Sequence, residues 1–547
     1  MLGLMQDRPL VIPLLLEGAR RQFATKTVIG RTSSSRTVTT YGAVEKRVRR
    51  LATVLDDLGV PLDARVGTFG WNSQRHLELY LGVPSTGRIL HTINHRLFAA
   101  QIAYIVDDAQ DDVLFVDRTI LPTVWAAVRH QPSVRWIVVM NDSPAIPGDS
   151  HAGDSLPADL RILDYDSLVD AAEPRPGPFA VDDERTAASL CYTSGTTGNP
   201  KGVLYDHRSV VLHALMLLTA DGFAIGEADV VMPIVPMFHV NAWGLPYAAV
   251  MSGATLSLPG PQTSPVALAR QIAEDDVTFA AGVTTVWREM LPHLIQDGYP
   301  SLRRIISGGG AVPVALSAAY RGAIGLRLSN AWGMTETSPV VTSSRVGSVK
   351  SGLNDAEKLA LLASPGPSLP LTGIRLVSTD DGREVDWDGE TPGEFQVSGP
   401  TICRSYFGAE PGTAAFTSDG WLRTGDVATI DPHGYVRIID RTKDLIKSGG
   451  EWISSVELEN VIMSHPDVLE AAVVATPDDK WGERPLACVV ARDGAHLTAE
   501  DVRAHLVDRV ARWWVPEHVV LVDAIPKTAT GKFSKLALRE QVGHAVV

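Results

Sequence analysis

Apolar strand-like runs separated by amphipathic stretches recur from the N-terminus to about residue 339, and this alternation constrains the fold more than any other feature. Tyr41 to Leu58 spaces its apolar side chains near 3.6 residues, which predicts an amphipathic helix. Ala64 to Gly70 reads as a strand closing into a turn, Asp112 to Asp117 as a buried parallel strand, and Arg135 to Met140 repeats that pattern. Strands alternating with helical patterns imply βαβ units and a mainly parallel sheet. Pro, Gly, Ser and acidic residues mark surface loops at Asp142–Asp154 and Glu173–Asp183, and a second α/β stretch runs from Ala187 to Pro339.

Beyond Val340 the texture changes. Shorter strands such as Gly393–Gly399 and Gly434–Asp440 suit an antiparallel unit, and Ser348 to Lys358 reads as a polar insertion. From about Asp444 the chain carries a helix at Ser455–Ser464, strands at Leu469–Ala475 and Leu486–Ala491, a helix at Ala499–Ala511 and a Gly-containing terminal loop. That segment, about 100 residues, is large enough to be its own domain.

With 547 residues, 45% of them hydrophobic, the chain has ample length for several buried cores. Lys plus Arg number 49 against 63 Asp plus Glu, a net charge of −14, which argues against a general nucleic-acid binder and requires any anionic ligand to be held locally. Cys191, Cys403 and Cys488 lie too far apart for a disulfide framework or a zinc spacing, so a reduced cytoplasmic setting is expected. The N-terminus lacks the basic start and cleavage site of a signal peptide, and no apolar run approaches the roughly 20 residues of a membrane span.

The most informative stretch is Thr193-Ser194-Gly195-Thr196-Thr197-Gly198-Asn199-Pro200-Lys201-Gly202. Four hydroxyl side chains and three glycines leave backbone N–H groups available to a polyanion, and Lys201 adds a charge. It follows an apolar run, Ala187 to Tyr192, and precedes a helix-like run, Ser209 to Leu218, a setting that suits a phosphate grip. It is not a Walker A loop. By composition alone, a flexible surface loop is an equally good reading. No Gly-x-Ser-x-Gly elbow occurs, which disfavours a hydrolase.

The string resembles the phosphate loop of the adenylate-forming superfamily: acyl-CoA synthetases, luciferases and peptide-synthetase adenylation domains. Four further motifs follow in that superfamily's order: Asn330-Ala331-Trp332-Gly333-Met334-Thr335-Glu336, Trp421 to Asp426, Asp440-Arg441-Thr442-Lys443-Asp444, and Pro526 to Lys532. The resemblance implies a fold of class α/β: a large N-terminal domain of parallel αβα sheets with a small β-barrel-like subdomain (1–440), a hinge (441–445) and a mobile α+β C-terminal domain (446–547). It implies an enzyme that joins a carboxylic acid to ATP as an acyl-adenylate and then to coenzyme A, with Mg²⁺ as cofactor and a homodimer through the N-terminal domain as the family habit.

Site residues follow from the same resemblance. Lys532 would contact the carboxylate and bridging oxygen. Glu336 and Thr193 would hold Mg²⁺, and Thr335 would donate to the α-phosphate. The nucleotide would meet Thr193 to Gly198, Lys201, Gly309, Gly310, Ala311, Asn330 to Thr335, Ile438 and Lys532, with Trp332 stacked on adenine and Asp426 and Arg441 at the ribose. His239, Val240 and Trp243 resemble the gate of fatty-acyl ligases, and Gly282, Val283, Thr284, Gly308 and Gly333 the acyl-pocket wall. Lys443 would be the hinge, with Lys447, Ser448, Gly449, Gly450, Glu451 and Trp452 turning toward CoA in the second half-reaction, Lys447 reaching the acyl phosphate.

The mostly apolar wall favours a hydrophobic acid, medium- or long-chain or bulky. Three residues depart from the family pattern: Thr284 and His95 where Pro is usual, and Gly310 where Ser or Ala is common. Thr284 and Gly310 are expected to reshape the pocket. The alternatives are an enzyme restricted to one half-reaction and a silent scaffold; retention of Lys532, Glu336 and Asp426 together argues against the scaffold.

Overall fold

A computed structural model of the chain describes residues 1, 3–140, 160–193, 199–379, 381–409, 414–449, 451–507, 509–527 and 533–543. Two large sheets dominate. The first has seven strands in the order Arg161–Asp164, Trp136–Met140, Asp111–Asp117, Arg65–Phe69, Ile89–Thr92, Ala187–Tyr192, Gly202–Asp206. All neighbours are parallel except the last pair. The second has eight, in the order Val340–Ser343, Leu328–Gly333, Arg304–Gly308, Phe279–Val283, Val230–Pro233, Thr255–Ser257, Thr27–Arg31, Arg36–Thr40, antiparallel only at its two edges.

Both sheets are buried on both faces, which is why their strands read as continuous apolar runs. Along Asp111–Asp117, Val113 and Phe115 enter one core while Leu114 and Val116 enter another, as the period of two requires. The first core is shared by the two sheets. Helices Ile12–Gln22, Tyr41–Asp57, Gln74–Ser85, His207–Leu218 and Leu245–Ser252 contribute buried side chains to it. Helices Ala99–Ala109 and Leu121–Val128 cover the far face of the first sheet. Pro265–Glu274, Thr284–Asp297 and Val314–Ile324 cover that of the second.

A four-stranded antiparallel sheet follows, Gly373–Val377, Gly393–Ser398, Leu422–Ile430 and Val436–Arg441. The last sheet is built on the long antiparallel pair Val468–Asp478 and Gly482–Ala491. Helices Ser455–Met463 and Ala499–Leu506 pack on one face of it and Lys535–Gly543 on the other. Across the expected hinge, Asp440 Oδ2 accepts from the Ser455 amide at 2.6 Å and from its hydroxyl at 2.5 Å, while Ser454 donates to the Ile439 carbonyl.

The structure differs from the sequence reading in places. Ser348–Lys358 is not a plain insertion, because Asn354 caps a helix over Asp355–Ala363 and accepts from the Glu357 amide. The helix expected over Ala499–Ala511 stops at Leu506, where Val507 turns extended with ψ 135°. Helix Lys535–Gly543 and short strands Ile446–Ser448, Glu451–Ile453 and His518–Leu521 were not expected. The loop expected over Asp142–Asp154 lies outside the described residues.

Candidate active site

The carboxyl ends of the parallel strands meet at one place, the usual position for a site in open α/β sheets. Thr92, Ile93 and Asn94 leave strand Ile89–Thr92, Tyr192 and Thr193 leave Ala187–Tyr192, and Phe238 and His239 follow Val230–Pro233; together with Leu97 and Ile105 they line one cavity. Thr193 and Lys201 close the neck of the expected phosphate loop: the Thr193 amide donates to the Lys201 carbonyl at 2.9 Å and the Lys201 amide to Thr193 Oγ1 at 3.2 Å. Ser194, Gly195, Thr196, Thr197 and Gly198 lie outside the described residues. One expectation is corrected here. The loop joins two antiparallel strands rather than a strand and a helix, since Val203 and Tyr205 are drawn into the sheet and its core. The helix expected over Ser209–Leu218 is present as His207–Leu218, capped by Asp206.

Lys201, Glu336 and Thr335 are brought together by two tyrosines. Tyr406 donates to Glu336 Oε1 at 2.7 Å, and Lys201 Nζ lies 4.8 Å from the Tyr406 ring centroid. Tyr205 donates to the Thr335 carbonyl at 2.5 Å. Glu336 is only 6% exposed, in the short turn Thr335–Thr337. Burial and the Glu336 carboxylate push the Cys403 thiol up to about 12, and burial takes Cys191 to about 11, so neither is a thiolate nucleophile.

A second cluster forms around Asp426. Its Oδ1 pairs with Arg441 Nε at 2.6 Å and its Oδ2 accepts from Trp332 Nε1 at 2.9 Å; the Asp426 side chain is 3% exposed. Trp332 packs edge-on against Phe395, centroids 4.9 Å apart. Asn330 donates from Nδ2 to the Ala363 carbonyl, and its Oδ1 is buried without a donor among the described residues. A Cβ on Gly333 would fall 1.9 Å from the Pro339 carbonyl, so no larger residue fits there. Ala331 is buried beside Gly308, its neighbour in the sheet. Met334 donates its amide to Thr337 Oγ1, and Ile438 packs at the edge of the third sheet's core.

Gly308 ends strand Arg304–Gly308 beneath Trp243: a Cβ there would come 2.7 Å from the indole's outer ring. Trp243 therefore fills the space beside Gly308. Val240 and Trp243 are buried, as is Trp287 beneath Gly282. His213 lies under Gly244, and its Nε2 accepts from the Val340 amide. Gly309 has φ 77°, whereas a Cβ on Gly310 would meet nothing within 4 Å. Gly310 leaves open the space that the Cβ of a serine or alanine would take up. Thr284 turns its hydroxyl to Ser307 and to the Ala311 carbonyl. His95 is buried between Trp71 and Phe238.

In the last sheet, Lys447 Nζ lies 5.2 Å from the Trp452 ring centroid, the Lys447 amide donates to Glu483, and Ser448 pairs with Glu451. Gly449, at φ 61°, sits against Trp481, and its amide donates to the Trp481 carbonyl. Burial draws the Lys443 ammonium below the usual lysine value. Gly450, Lys532 and the side chain of Glu451 lie outside the described residues. Sequence reasoning missed Tyr205, Tyr406 and His213; none stands in a motif, and no spacing marks them.

Residues 16–407 match a family described as AMP-binding enzyme, and residues 457–532 one described as AMP-binding enzyme C-terminal domain. A long-chain-fatty-acid–CoA ligase of Thermus thermophilus is 46% identical over 543 residues, 98% of this chain and 96% of that protein. A 3-methylmercaptopropionyl-CoA ligase of Ruegeria lacuscaerulensis is 43% identical over 551 residues, 100% of both. Among solved structures, an anthranilate CoA ligase in complex with anthranoyl-AMP matches with TM-score 0.85 at 26% identity over 99% of each chain.

Proposed function

Since this chain belongs to the AMP-binding enzyme family, we propose that it is an ATP-dependent acid–CoA ligase that activates a hydrophobic carboxylic acid as an acyl-adenylate and transfers the acyl group to coenzyme A. In the first half-reaction a carboxylate oxygen attacks the α-phosphorus of ATP and pyrophosphate leaves. In the second the CoA sulfur attacks the acyl carbon, the thiol proton is lost and AMP leaves with the bond's electrons. Both reactants of the first step are anions, so cations and N–H or O–H donors must offset their repulsion.

The observation that carries the reading is the joining of the two clusters through one motif: Trp332, fixed on Asp426, and Glu336, fixed on Tyr406, stand four residues apart in the chain. The orphaned Asn330 Oδ1 is a buried acceptor suited to the amino group of adenine. Asp426 and Arg441 face the ribose in this reading, with Lys201 and Ser194 to Gly198 at the phosphates. Glu336 and Thr193 would hold Mg²⁺, an ion that takes few carboxylates along with phosphate oxygens. The donor set fits, since Glu336 is a buried carboxylate oriented by Tyr406 and Thr193 carries a hydroxyl oxygen. When bound, the ion neutralises phosphate charge.

His239, Val240, Trp243, Val283 and Gly308 form the acyl side, and Trp243 must leave Gly308 for a chain to pass. In this reading the chain divides at 441–445, with Lys443 as pivot, and Lys532 alternates with the 447–452 segment. The test is AMP release from a panel of acids with and without CoA, together with Lys532→Ala. That variant is expected to lose adenylation yet largely keep transfer from supplied acyl-AMP. Equal loss of both would refute the division of labour.

A further inference from the structure

We propose that Thr284 is a positioning residue that holds the adenine-side loop 309–311 in place through a relay of two hydroxyls, running from Ser307 to Thr284 to the Ala311 carbonyl. The proposal rests on the reading that assigns this loop to the nucleotide.

Strands Phe279–Val283 and Arg304–Gly308 run parallel, with Val283 opposite Gly308. Thr284 and Gly309 are therefore the first residues beyond the point where the two strands part, one entering a helix and the other the loop. Thr284 Oγ1 lies 2.9 Å from Ser307 Oγ and 3.2 Å from the Ala311 carbonyl oxygen. A carbonyl can only accept, so the single Thr284 proton goes to Ala311, and Ser307 must donate to Thr284. The direction of the relay follows from this count. Thr284 is 9% exposed and Ser307 0%, so water competes little for either bond.

Little else holds the loop. Among the described residues, Gly309, Gly310 and Ala311 make no backbone–backbone hydrogen bond to the rest of the fold. Gly309 sits in the left-handed region, and open space surrounds the Gly310 α-carbon. The loop is pinned behind by the sheet at Gly308 and ahead by buried Val312, with the Thr284 hydroxyl between them. A proline at 284 would carry no hydroxyl and could not make this tether, so the departure at 284 acts on the nucleotide side and not on the fit of the acid.

Thr284→Val keeps the shape and removes both bonds; Thr284→Ser keeps both; Ser307→Ala removes the feeding bond but leaves Thr284 its donation to Ala311. In the full-length enzyme, Thr284→Val is expected to raise the KM for ATP about fivefold, the scale of one net hydrogen bond. The KM for acid and the order of acid preference should stay within about twofold of wild type, a split that general loosening of the fold would not produce. Thr284→Ser should restore the ATP KM, and Ser307→Ala should fall between. Calorimetric titration with ATP alone should give the same ranking. An unchanged ATP KM in Thr284→Val, or a change confined to the acid, overturns the tether. Should Thr284→Val fail to fold, a Ser307→Ala enzyme with wild-type ATP affinity overturns it as well. Absence of acid-dependent ATP turnover in the wild type would overturn the proposed function itself, which is a different result.

Discussion

Asp426 accepts from Arg441 Nε on Oδ1 and from Trp332 Nε1 on Oδ2. In Asp426→Asn the amide has the same outline, but its NH₂ must face one of those donors, so one contact becomes a clash of two N–H groups. The ATP KM of Asp426→Asn is expected to rise at least about tenfold, since bonds to charged groups are the stronger kind; steady-state kinetics that put it within twofold of wild type would show that Asp426 is not at the nucleotide. Tyr406→Phe makes a finer cut. It removes the hydroxyl that orients Glu336 and leaves the ring under Lys201. The Mg²⁺ concentration for half-maximal rate should rise about two- to tenfold, with the melting temperature little changed; an unaltered Mg²⁺ requirement counts against Glu336 as the metal's carboxylate. Asp426 and Glu336 were legible because each sits in a contiguous motif. Tyr406 was not, because its partner is 70 residues away and only the fold brings the two into contact.

At the scale of the element, the gate is the unusual piece. Val240, Asn241, Ala242 and Trp243 have φ of 46°, 51°, 48° and 57°, and Gly244 follows at 74°, a full left-handed turn. Each non-glycine residue there costs about 1–2 kcal/mol relative to a right-handed helix, and a β-branched residue is rarest of all. The surroundings enforce it: Asn241 donates to Ser189 and accepts from the Cys191 thiol, Trp243 rests on Gly308, and His213 lies beneath Gly244. Two opposite substitutions test this. Ala242→Gly normally costs about 1 kcal/mol, but relief of the left-handed strain offsets that here, so its stability should stay within about 1 kcal/mol of wild type. Gly244→Ala adds a Cβ 2.6 Å from His213 Nδ1 at a φ that disfavours it, and should cost about 2 kcal/mol or more. Thermal melts in which Ala242→Gly is the worse of the two would refute the enforced turn. In Val-Asn-Ala-Trp only Asn241 tolerates the left-handed region readily, and one such residue together with Gly244 is too weak a signal to mark a whole turn. The buried strands, by contrast, were legible because a run such as Val113-Leu114-Phe115-Val116 feeds two cores at once. Strands of three or four residues, such as Ile446–Ser448 and His518–Leu521, are too short to show a period and form because longer neighbours offer an edge.

Among the described residues, five histidines are deeply buried, His76, His91, His95, His207 and His213, all within the first 440 residues. Burial lowers His76, His95 and His207 to about 4 and His213 to about 3. His207 and His213 accept backbone N–H groups from Ile12 and Val340, which requires the neutral ring. The sign follows from these values. In the unfolded chain each of these four binds a proton below about 6.5, whereas in the folded chain it stays neutral down to about 4 or 3. Unfolding therefore takes up protons in that window, and the stability present above about 6.5 is lost as the pH falls toward 4. Each such group contributes a slope of about 1.4 kcal/mol per pH unit. Other titrating groups add slopes of their own, so the decisive measurement is a difference. His207→Asn removes one of the four protons while leaving a side-chain oxygen for the Ile12 amide, and its denaturation midpoint, followed from pH 7.5 to 4.5, should fall less steeply than that of wild type by one proton's worth. Superimposable pH profiles for the two proteins would mean that His207 is already protonated in the fold, and that the Ile12 amide has its acceptor elsewhere.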